Sequence, residues 1–187
     1  MTTLTIYKDS DGKQPLSQHR DFKSIQDELG KIGVEFERWD ASKPLSEKAE
    51  QAEVIEAYKD AIEKINRKYG YITIDVVSMQ PDNPNAAVAR AKFLSEHTHS
   101  DFETRFFVDG QGIFYIRKNG KVFMTLCTQG DLINLPANTT HWFDMGEKPF
   151  FKAIRFFRIA EGWVGHFTGD KIADQFPKYE EALRVKA

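Results

Sequence analysis

The chain has little of what secreted or membrane-spanning proteins need. Cys127 is the single cysteine among 187 residues, so an intramolecular disulfide is excluded and a reducing compartment is expected. No apolar run reaches the roughly eighteen residues that a membrane-spanning helix needs. The first residues also lack the basic and apolar regions of a secretion signal. We therefore expect a cytoplasmic protein with no membrane partner.

An excess of charge of either sign is also absent. The chain has 26 basic and 28 acidic residues and a net charge of −2, so no nucleic-acid partner is expected. Hydrophobic residues make up 41% of it, with 15 phenylalanines, which suits one well-buried core. We predict a monomer with a single domain over 1–187. Its predicted parts are a helical leader with the first strands (1–93), a core segment (94–160) and a C-terminal extension (161–187).

Histidine is scarce too, yet three of the five histidines fall into one arrangement. His97 and His99 are followed by Glu103, and His141 comes later on a separate extended stretch. In a regular strand alternate side chains share a face, so His97, His99 and Glu103 are expected to point to one interior. Three imidazoles and a carboxylate can hold a divalent metal and leave other positions open, whereas a structural zinc site is typically rich in cysteine. We predict a metal-dependent enzyme with these four ligands.

Hydrophobic periodicity changes near residue 70. Before it, helices are predicted over 21–32 and over 46–69, the second ending at Gly70. A strand over 71–79, a helix over 86–93 and a last helix over 179–186 are also predicted. Short strands are predicted at 104–108, 113–117, 121–127, 131–135, 141–144 and 150–157. Turns are predicted at Asp109-Gly110, Asn119-Gly120 and Gln129-Gly130, of which Asn119-Gly120 is the strongest hairpin signal.

Two segments resemble the conserved motifs of the cupin superfamily. The first reads His97-x-His99-x3-Glu103-x6-Gly110, and the second reads Gly130-x5-Pro136-x-Asn138-x2-His141. Asn138 stands where glycine is usual, a mild change because asparagine tolerates positive φ well. Met145 stands where the motif usually ends in asparagine. The resemblance implies a mainly β protein with flanking helices, built on a cupin-type antiparallel β-barrel or jelly roll with the metal inside.

Nearly the whole chain resembles the acireductone dioxygenase family. The resemblance rests on the segments 93–99, 103–107, 110–114 and 139–144, on the helical leader ending at residues 69–71, and on the segments 75–77 and 152–157. Phe102 and Thr104 depart from the expected residues, but neither is a predicted ligand. The family acts in methionine salvage on an enediol, 1,2-dihydroxy-5-methylthiopent-1-en-3-one, together with O2.

The resemblance implies one metal ion per chain, Fe(II) or Ni(II), with Co(II) or Mn(II) as further candidates. With Fe(II), the implied products are 2-oxo-4-methylthiobutanoate and formate. With Ni(II) or Co(II), they are methylthiopropanoate, formate and carbon monoxide. The ligand types do not select among these metals, because such nitrogen and oxygen sites bind late first-row metals in general.

Arg105 is the best candidate for a catalytic, substrate-binding residue. It shares strand parity with Glu103, so its guanidinium is expected to face the interior and to pair with an anionic substrate oxygen. The alternatives are a structural ion pair, for example with Asp101, or an outward orientation. Glu96 adjoins His97 but points to the opposite face of the strand. It is expected to contact solvent or to contact a metal ligand from outside the coordination sphere. Asp101 either orients an imidazole or serves as a loop residue.

Aromatic residues are the candidates for the substrate pocket. Phe143 follows His141 by two positions and is expected to line the same cavity, with Phe93, Phe107 and Trp163 as weaker candidates. Plain core packing is the alternative for each of them. Two other functions stay open. One is a different metal-dependent cupin enzyme, and the other is a cupin that binds a ligand without turnover.

Overall fold

The computed structural model describes residues 1–46, 48–160 and 164–184. Within them lie the strands β1 (Thr3–Lys8), β2 (Asp11–His19), β3 (Glu35–Arg38), β4 (Thr73–Met79), β5 (His97–Thr98), β6 (Glu103–Lys118), β7 (Lys121–Thr128), β8 (Asp131–Leu135), β9 (Thr140–Asp144), β10 (Phe151–Phe157) and β11 (His166–Phe167). The helices are α1 (Phe22–Gly30), α2 (Gln51–Ala57), α3 (Lys59–Tyr69), α4 (Ala86–Leu94) and α5 (Tyr179–Arg184), with a 3-10 turn at Ile172–Gln175.

The long strand β6 joins two antiparallel sheets. Its second half pairs with β7 and β9 in a sheet of order β11-β5-β9-β6-β7-β1-β2. Its first half pairs with β10 and β8, which bring β4 and β3 into the second sheet. The strand changes sheets around Gly110, which has φ +64° and lies so close to the Phe150 carbonyl that a Cβ would be 1.9 Å from its oxygen. The antiparallel cupin-type jelly roll predicted from the sequence is confirmed.

Phenylalanine dominates the core between the two sheets, as the composition suggested. The inner cluster includes Phe107, Phe114, Phe143 and Phe151, all at most 1% exposed. Helices cover the outer faces: α2 and α3 pack on the second sheet, and the C-terminal segment packs on the first. This double cover explains why β7 and β8 are buried on both faces instead of alternating. Cys127 is fully buried, as expected for a core residue.

The predicted helix over 46–69 is wrong in its extent. Two helices replace it, separated at Tyr58, whose φ of −110° and ψ of 16° interrupt the helical geometry. The Tyr58 ring packs edge-on against Phe106 at 5.7 Å and is 2% exposed, so tertiary packing outweighs the continuous helical pattern. Glu47, part of the predicted start, lies outside the described residues. The predicted stop at Gly70 is confirmed by its left-handed φ of 69°.

Three strands before residue 70 were missed, because we read this region as helical. The strand β2 is polar and mostly exposed at the edge of its sheet, so it lacks an alternating apolar pattern. The predicted turn at Asp109-Gly110 is also wrong, because β6 runs through it. Asn119-Gly120 is a tight turn between β6 and β7, with φ of 53° and 68° as a type I′ hairpin requires. Within the described residues, no helix is both long and apolar enough to cross a membrane.

Candidate metal centre

Strand pairing, rather than one regular strand, brings the predicted ligands together. His97 on β5 lies directly opposite His141 on β9. Glu103 begins β6, and His99 lies in the bend between β5 and β6. We expected one regular strand to place residues 97 to 105 on a single face. That expectation is wrong, because β5 ends at Thr98. The expected convergence of the four side chains nevertheless occurs.

The four side chains form a compact buried cluster. The ligand nitrogens of His97, His99 and His141 all lie within 4.8 Å of one another. A carboxylate oxygen of Glu103, Oε2, lies 2.6 Å from His141 Nε2 and 3.5 Å from His99 Nε2. All four residues are at most 8% exposed. The donor set of three nitrogens and one carboxylate matches a site for a late first-row divalent metal.

Backbone carbonyls fix the tautomer of all three imidazoles. The Nδ1 atoms of His97, His99 and His141 lie 2.7, 2.9 and 2.7 Å from the carbonyl oxygens of Ser95, Val164 and Thr139. A carbonyl oxygen only accepts hydrogen bonds, so each neutral imidazole carries its proton on Nδ1 and donates it there. Each Nε2 is therefore left with a lone pair, as a metal ligand must be.

Within the part of the chain that the structure describes, two atoms in the cluster are buried without a hydrogen-bond partner. They are Oε2 of Glu103 and Nε2 of His141, which face each other although both are acceptors. Buried acceptors without a donor are costly, and a cation held between them would remove that cost. The orphaned atoms and the donor types thus fit a bound metal ion.

The protonation states also favour metal binding. Burial lowers the pKa of His97 to about 4, and the neighbouring His141 lowers it further. Burial likewise lowers the pKa of His99. Burial alone would raise the pKa of Glu103, but Arg105 and the imidazoles of His141 and His99 hold it well below its usual range. Neutral imidazoles and an ionised carboxylate are the forms that coordinate metals, so His97, His99 and Glu103 need to release few protons near pH 7.

Arg105 faces the interior, next to the cluster. Its Nη2 lies 2.6 Å from Oε1 of Glu103, and its side chain is 5% exposed. Its Cζ lies 5.9, 5.0 and 4.9 Å from the ring centres of Phe93, Phe114 and Phe143. Its Nε and Nη1 are buried and have no hydrogen-bond partner among the described residues. The arginine therefore makes one strong ion pair and has unused donors.

Asp101 does not pair with Arg105. Its carboxylate accepts hydrogen bonds from the backbone N–H groups of Phe102, Arg158 and Ile159, so it is a loop-bracing residue. Glu96 is 2% exposed rather than solvated. It pairs with Arg117 at 3.3 Å and accepts a hydrogen bond from the Thr168 hydroxyl at 2.6 Å, which ties the 164–170 segment to the His97 strand.

A cleft of about 210 Å³ opens beside the cluster. Three positively charged side chains line it, together with three of the predicted ligands, apolar side chains and a glycine; the residues are Lys92, Phe93, His97, His99, Glu103, Arg105, Arg155, Phe157, Val164, Gly165 and Phe167. Its walls combine cationic and aromatic groups, which suits a small anionic ligand with an apolar part.

The predicted aromatic pocket residues occupy different places. Phe93 lines this cleft. Phe143 and Phe107 are buried behind it, where Phe143 packs against Phe93 at 6.1 Å and against Arg105. Trp163 lies outside the described residues. Direct substrate contact by these side chains stays a prediction, and in this geometry Phe143 supports Arg105.

Sequence reasoning missed several residues that line the cleft. Arg155 and Phe157 both face it from β10, two positions apart, as strand alternation would have indicated. Gly165 lies over the imidazoles: a Cβ there would be 3.4 Å from His97 Cδ2 and 3.8 Å from His99 Cε1. No local pattern in the sequence marks Gly165, because its role depends on the packing of β11 against β5.

Comparison with known proteins identifies the family. Residues 3–165 match the family model described as the ARD/ARD' family. The chain is 53% identical to the acireductone dioxygenase of Parvibaculum lavamentivorans, covering 96% of this chain and 98% of that one. It is 51% identical to the acireductone dioxygenase of Aquifex aeolicus, covering 98% and 99% of the two chains.

A solved structure is similar as well. Acireductone dioxygenase from Bacillus anthracis, with a cadmium ion in its active center, matches with a TM-score of 0.78 and 30% identity over 89% of this chain and 98% of that one. The family model and the solved structure each match most of the chain, and the buried histidine cluster lies within the matched part. The chain belongs to the ARD/ARD' family.

Proposed function

We propose that this protein is a metal-dependent acireductone dioxygenase that cleaves 1,2-dihydroxy-5-methylthiopent-1-en-3-one with O2 in methionine salvage. The observation that carries the proposal is the convergence of three Nε2 lone pairs and the Glu103 carboxylate beside a cleft lined by cations and aromatic rings. The names of its close relatives support the same activity. A cytoplasmic monomer is part of the proposal.

His97, His99, Glu103 and His141 would hold one ion per chain, Fe(II) or Ni(II), with Co(II) or Mn(II) as further candidates. Such an ion, when bound, would neutralise the enediolate charge and bring the substrate close to O2. The expected products are 2-oxo-4-methylthiobutanoate and formate with Fe(II). With Ni(II) or Co(II), they are methylthiopropanoate, formate and carbon monoxide. In both cases the substrate supplies the electrons and O2 supplies the two added oxygen atoms, so no further redox cofactor is needed.

Arg105 would bind the substrate through the donors that have no partner in the described parts of the chain. Its ion pair with Glu103 occupies Nη2, and the rings of Phe114 and Phe143 flank the guanidinium at 5.0 and 4.9 Å. Its Nε and Nη1 remain available to an anionic oxygen in the cleft. A guanidinium so placed favours the deprotonated enediol, because an opposite charge stabilises the ionised form. The structural ion pair and the substrate contact are therefore compatible roles of one side chain.

The apolar side chains would receive the methylthio tail. Phe93, Phe157, Val164 and Phe167 line the cleft next to the cationic groups. They exclude water from the reacting centre, which strengthens the electrostatic contacts made there. Phe143 and Phe107 would act from behind by holding Arg105 and the adjoining core in place, and Trp163 remains a candidate for the wall of the pocket.

The test is reconstitution of metal-free protein, under anaerobic conditions, with Fe(II) or Ni(II) separately. Each sample then receives acireductone and a known amount of O2, and oxygen uptake and carbon monoxide are recorded after the non-enzymatic oxidation is subtracted. We expect metal-dependent uptake with both ions and carbon monoxide from the nickel form alone. A different metal-dependent cupin enzyme or a non-catalytic cupin would give no uptake above background.

A further inference from the structure

Arg155 occupies a place on the sheet that packing alone does not explain. It lies on β10 directly opposite Arg105 on β6 and directly opposite Asp75 on β4. Directly opposite residues of antiparallel strands point to the same face. Asp75, Arg155 and Arg105 therefore form a row across three strands, and both arginines line the cleft. Like charges at opposed positions repel; Glu103 and Asp75 each neutralise one of the two arginines, and an anion in the cleft would reduce the remaining repulsion.

Asp75 holds the Arg155 guanidinium by one edge only. Nε and Nη2 of Arg155 donate to the two carboxylate oxygens of Asp75 at 2.8 and 2.6 Å. Among the described residues, Nη1 of Arg155 has no acceptor. A guanidinium has five N–H donors in a planar fork, so the free edge can bind a further anionic oxygen.

The plane of this guanidinium is fixed by a second contact as well. The ring of Phe157, two positions further along β10, lies 5.5 Å from the Arg155 Cζ. Phe157 is 1% exposed and lines the same cleft. An arginine held by a bidentate carboxylate and by a buried ring loses little conformational freedom when it binds a ligand. Arg155 is therefore preorganised in the way expected of a binding residue.

The two arginines lie at different depths. The Arg105 side chain is 5% exposed, next to Glu103, whereas the Arg155 side chain is 21% exposed. We propose that Arg155 is a second substrate-binding residue, which donates from its free edge to an oxygen of the enediolate in the cleft. Asp75 is the positioning residue that acts through it. This inference rests on the proposed function, whose substrate has oxygen atoms on three adjacent carbons.

The experiment compares variants of the metal-loaded full chain. Arg155→Met removes the N–H donors, and Arg155→Lys keeps the positive charge but lacks the planar guanidinium. Asp75→Asn weakens the ion pair that orients the Arg155 guanidinium. Arg158→Met is the matched control, since Arg158 is a nearby arginine that packs on Phe102 and does not line the cleft. Each variant is tested for metal content, for anaerobic binding of acireductone and for steady-state oxygen uptake.

We expect Arg155→Met to raise Kd and KM about 10- to 100-fold, the worth of a charge-assisted hydrogen bond, with a smaller fall in kcat. Arg155→Lys is expected to recover only part of that loss, and Asp75→Asn to raise KM by several-fold. Arg158→Met should match the wild type. Unchanged Kd and KM in Arg155→Met, with metal retained, would overturn the inference while leaving the proposed function intact. A wild-type protein that consumes no oxygen with either metal overturns the proposed function first.

A double variant separates substrate binding from a purely structural ion pair. Arg155→Gln combined with Asp75→Asn replaces the charged pair by two amides that can still hydrogen-bond to each other. We expect its Tm to stay within a few degrees of the wild type while KM remains raised. Recovery of KM together with Tm would show that the pair serves stability alone, and would overturn the assignment.

Discussion

Nε2 of His141 faces Oε2 of Glu103 at 2.6 Å, and in the neutral imidazole with its proton on Nδ1 neither atom has a hydrogen to share. The imidazole proton is on Nδ1, donated to the Thr139 carbonyl, and the Glu103 carboxylate is ionised. Two buried lone pairs directed at each other repel, so the protein has built a position that a cation relieves. Because the fold sets both the tautomer and the burial of these groups, the cation site exists before any ion binds.

Replacement of His141 should therefore abolish metal binding without unfolding the chain. We expect His141→Ala to weaken the affinity for Fe(II) or Ni(II) more than about 100-fold, since even residues behind the ligands are worth 10- to 100-fold. Metal content after dialysis, with circular dichroism for folding, measures this. His19→Ala is the control, because His19 contacts Ser17 far along the chain from the cluster. Full metal occupancy in His141→Ala would exclude it as a ligand.

The stability of the metal-free protein should depend on pH through His97. Its pKa is about 4 in the folded chain, against 6.5 as its ordinary value. The unfolded chain therefore binds more protons between these values, and stability falls as the pH drops from 6.5 towards 4, by on the order of 3 kcal/mol from this group. Urea unfolding of metal-free protein across this range measures the slope. A His97→Gln variant should show a smaller slope, and an equal slope would contradict the assignment.

Gly112 should tolerate no side chain. It lies on β6, and an added Cβ would be 2.2 Å from the Phe143 ring carbon Cζ. We expect Gly112→Ala to lower the free energy of unfolding by roughly 1–3 kcal/mol, as overpacking of a core does. Because Phe143 packs on Arg105, KM should rise as well. Gly30→Ala is the matched control, with no atom within 4 Å of its added Cβ, and its stability should stay within about 0.5 kcal/mol of the wild type.

Gly165 should limit the size of the ligand in the cleft. An added Cβ would contact the His97 ring at 3.4 Å without a severe clash. We expect Gly165→Ala to bind metal normally and to raise KM slightly, and Gly165→Val to raise KM roughly tenfold by filling the space over the imidazoles. Metal analysis and oxygen uptake together test this. Equal KM values for glycine, alanine and valine at this position would show that the substrate does not reach it.

The sequence was most informative where local chemistry decides the structure. The positive φ expected at Asn138 is present at 60°, and the Asn119-Gly120 hairpin turn is present as predicted. The four predicted ligands converge, and His141 approaches from a neighbouring strand as predicted, although the expected single strand from 97 to 105 is absent. Parity also placed Arg105 correctly in the interior, beside Glu103.

Tertiary contacts account for what the sequence did not predict. The burial of Glu96 depends on Arg117 and Thr168, which are distant in the sequence. Asp109-Gly110 resembles a turn locally, but pairing of β6 with β10 on both sides of it keeps the chain extended. Arg155 lies in the segment 152–157, which resembles the family, but its place opposite Arg105 follows from the pairing of β10 with β6.

The shared strand β6 gives the metal centre a mechanical consequence. His97 and His141 belong to the sheet formed around its second half, whereas Glu103 belongs to its first half, which pairs with β8 and β10. An ion held by all three side chains would cross-link the two sheets. Separation of the two sheets at the metal centre would then require release of the ion. Exchange of the ion and separation of the sheets would therefore occur together.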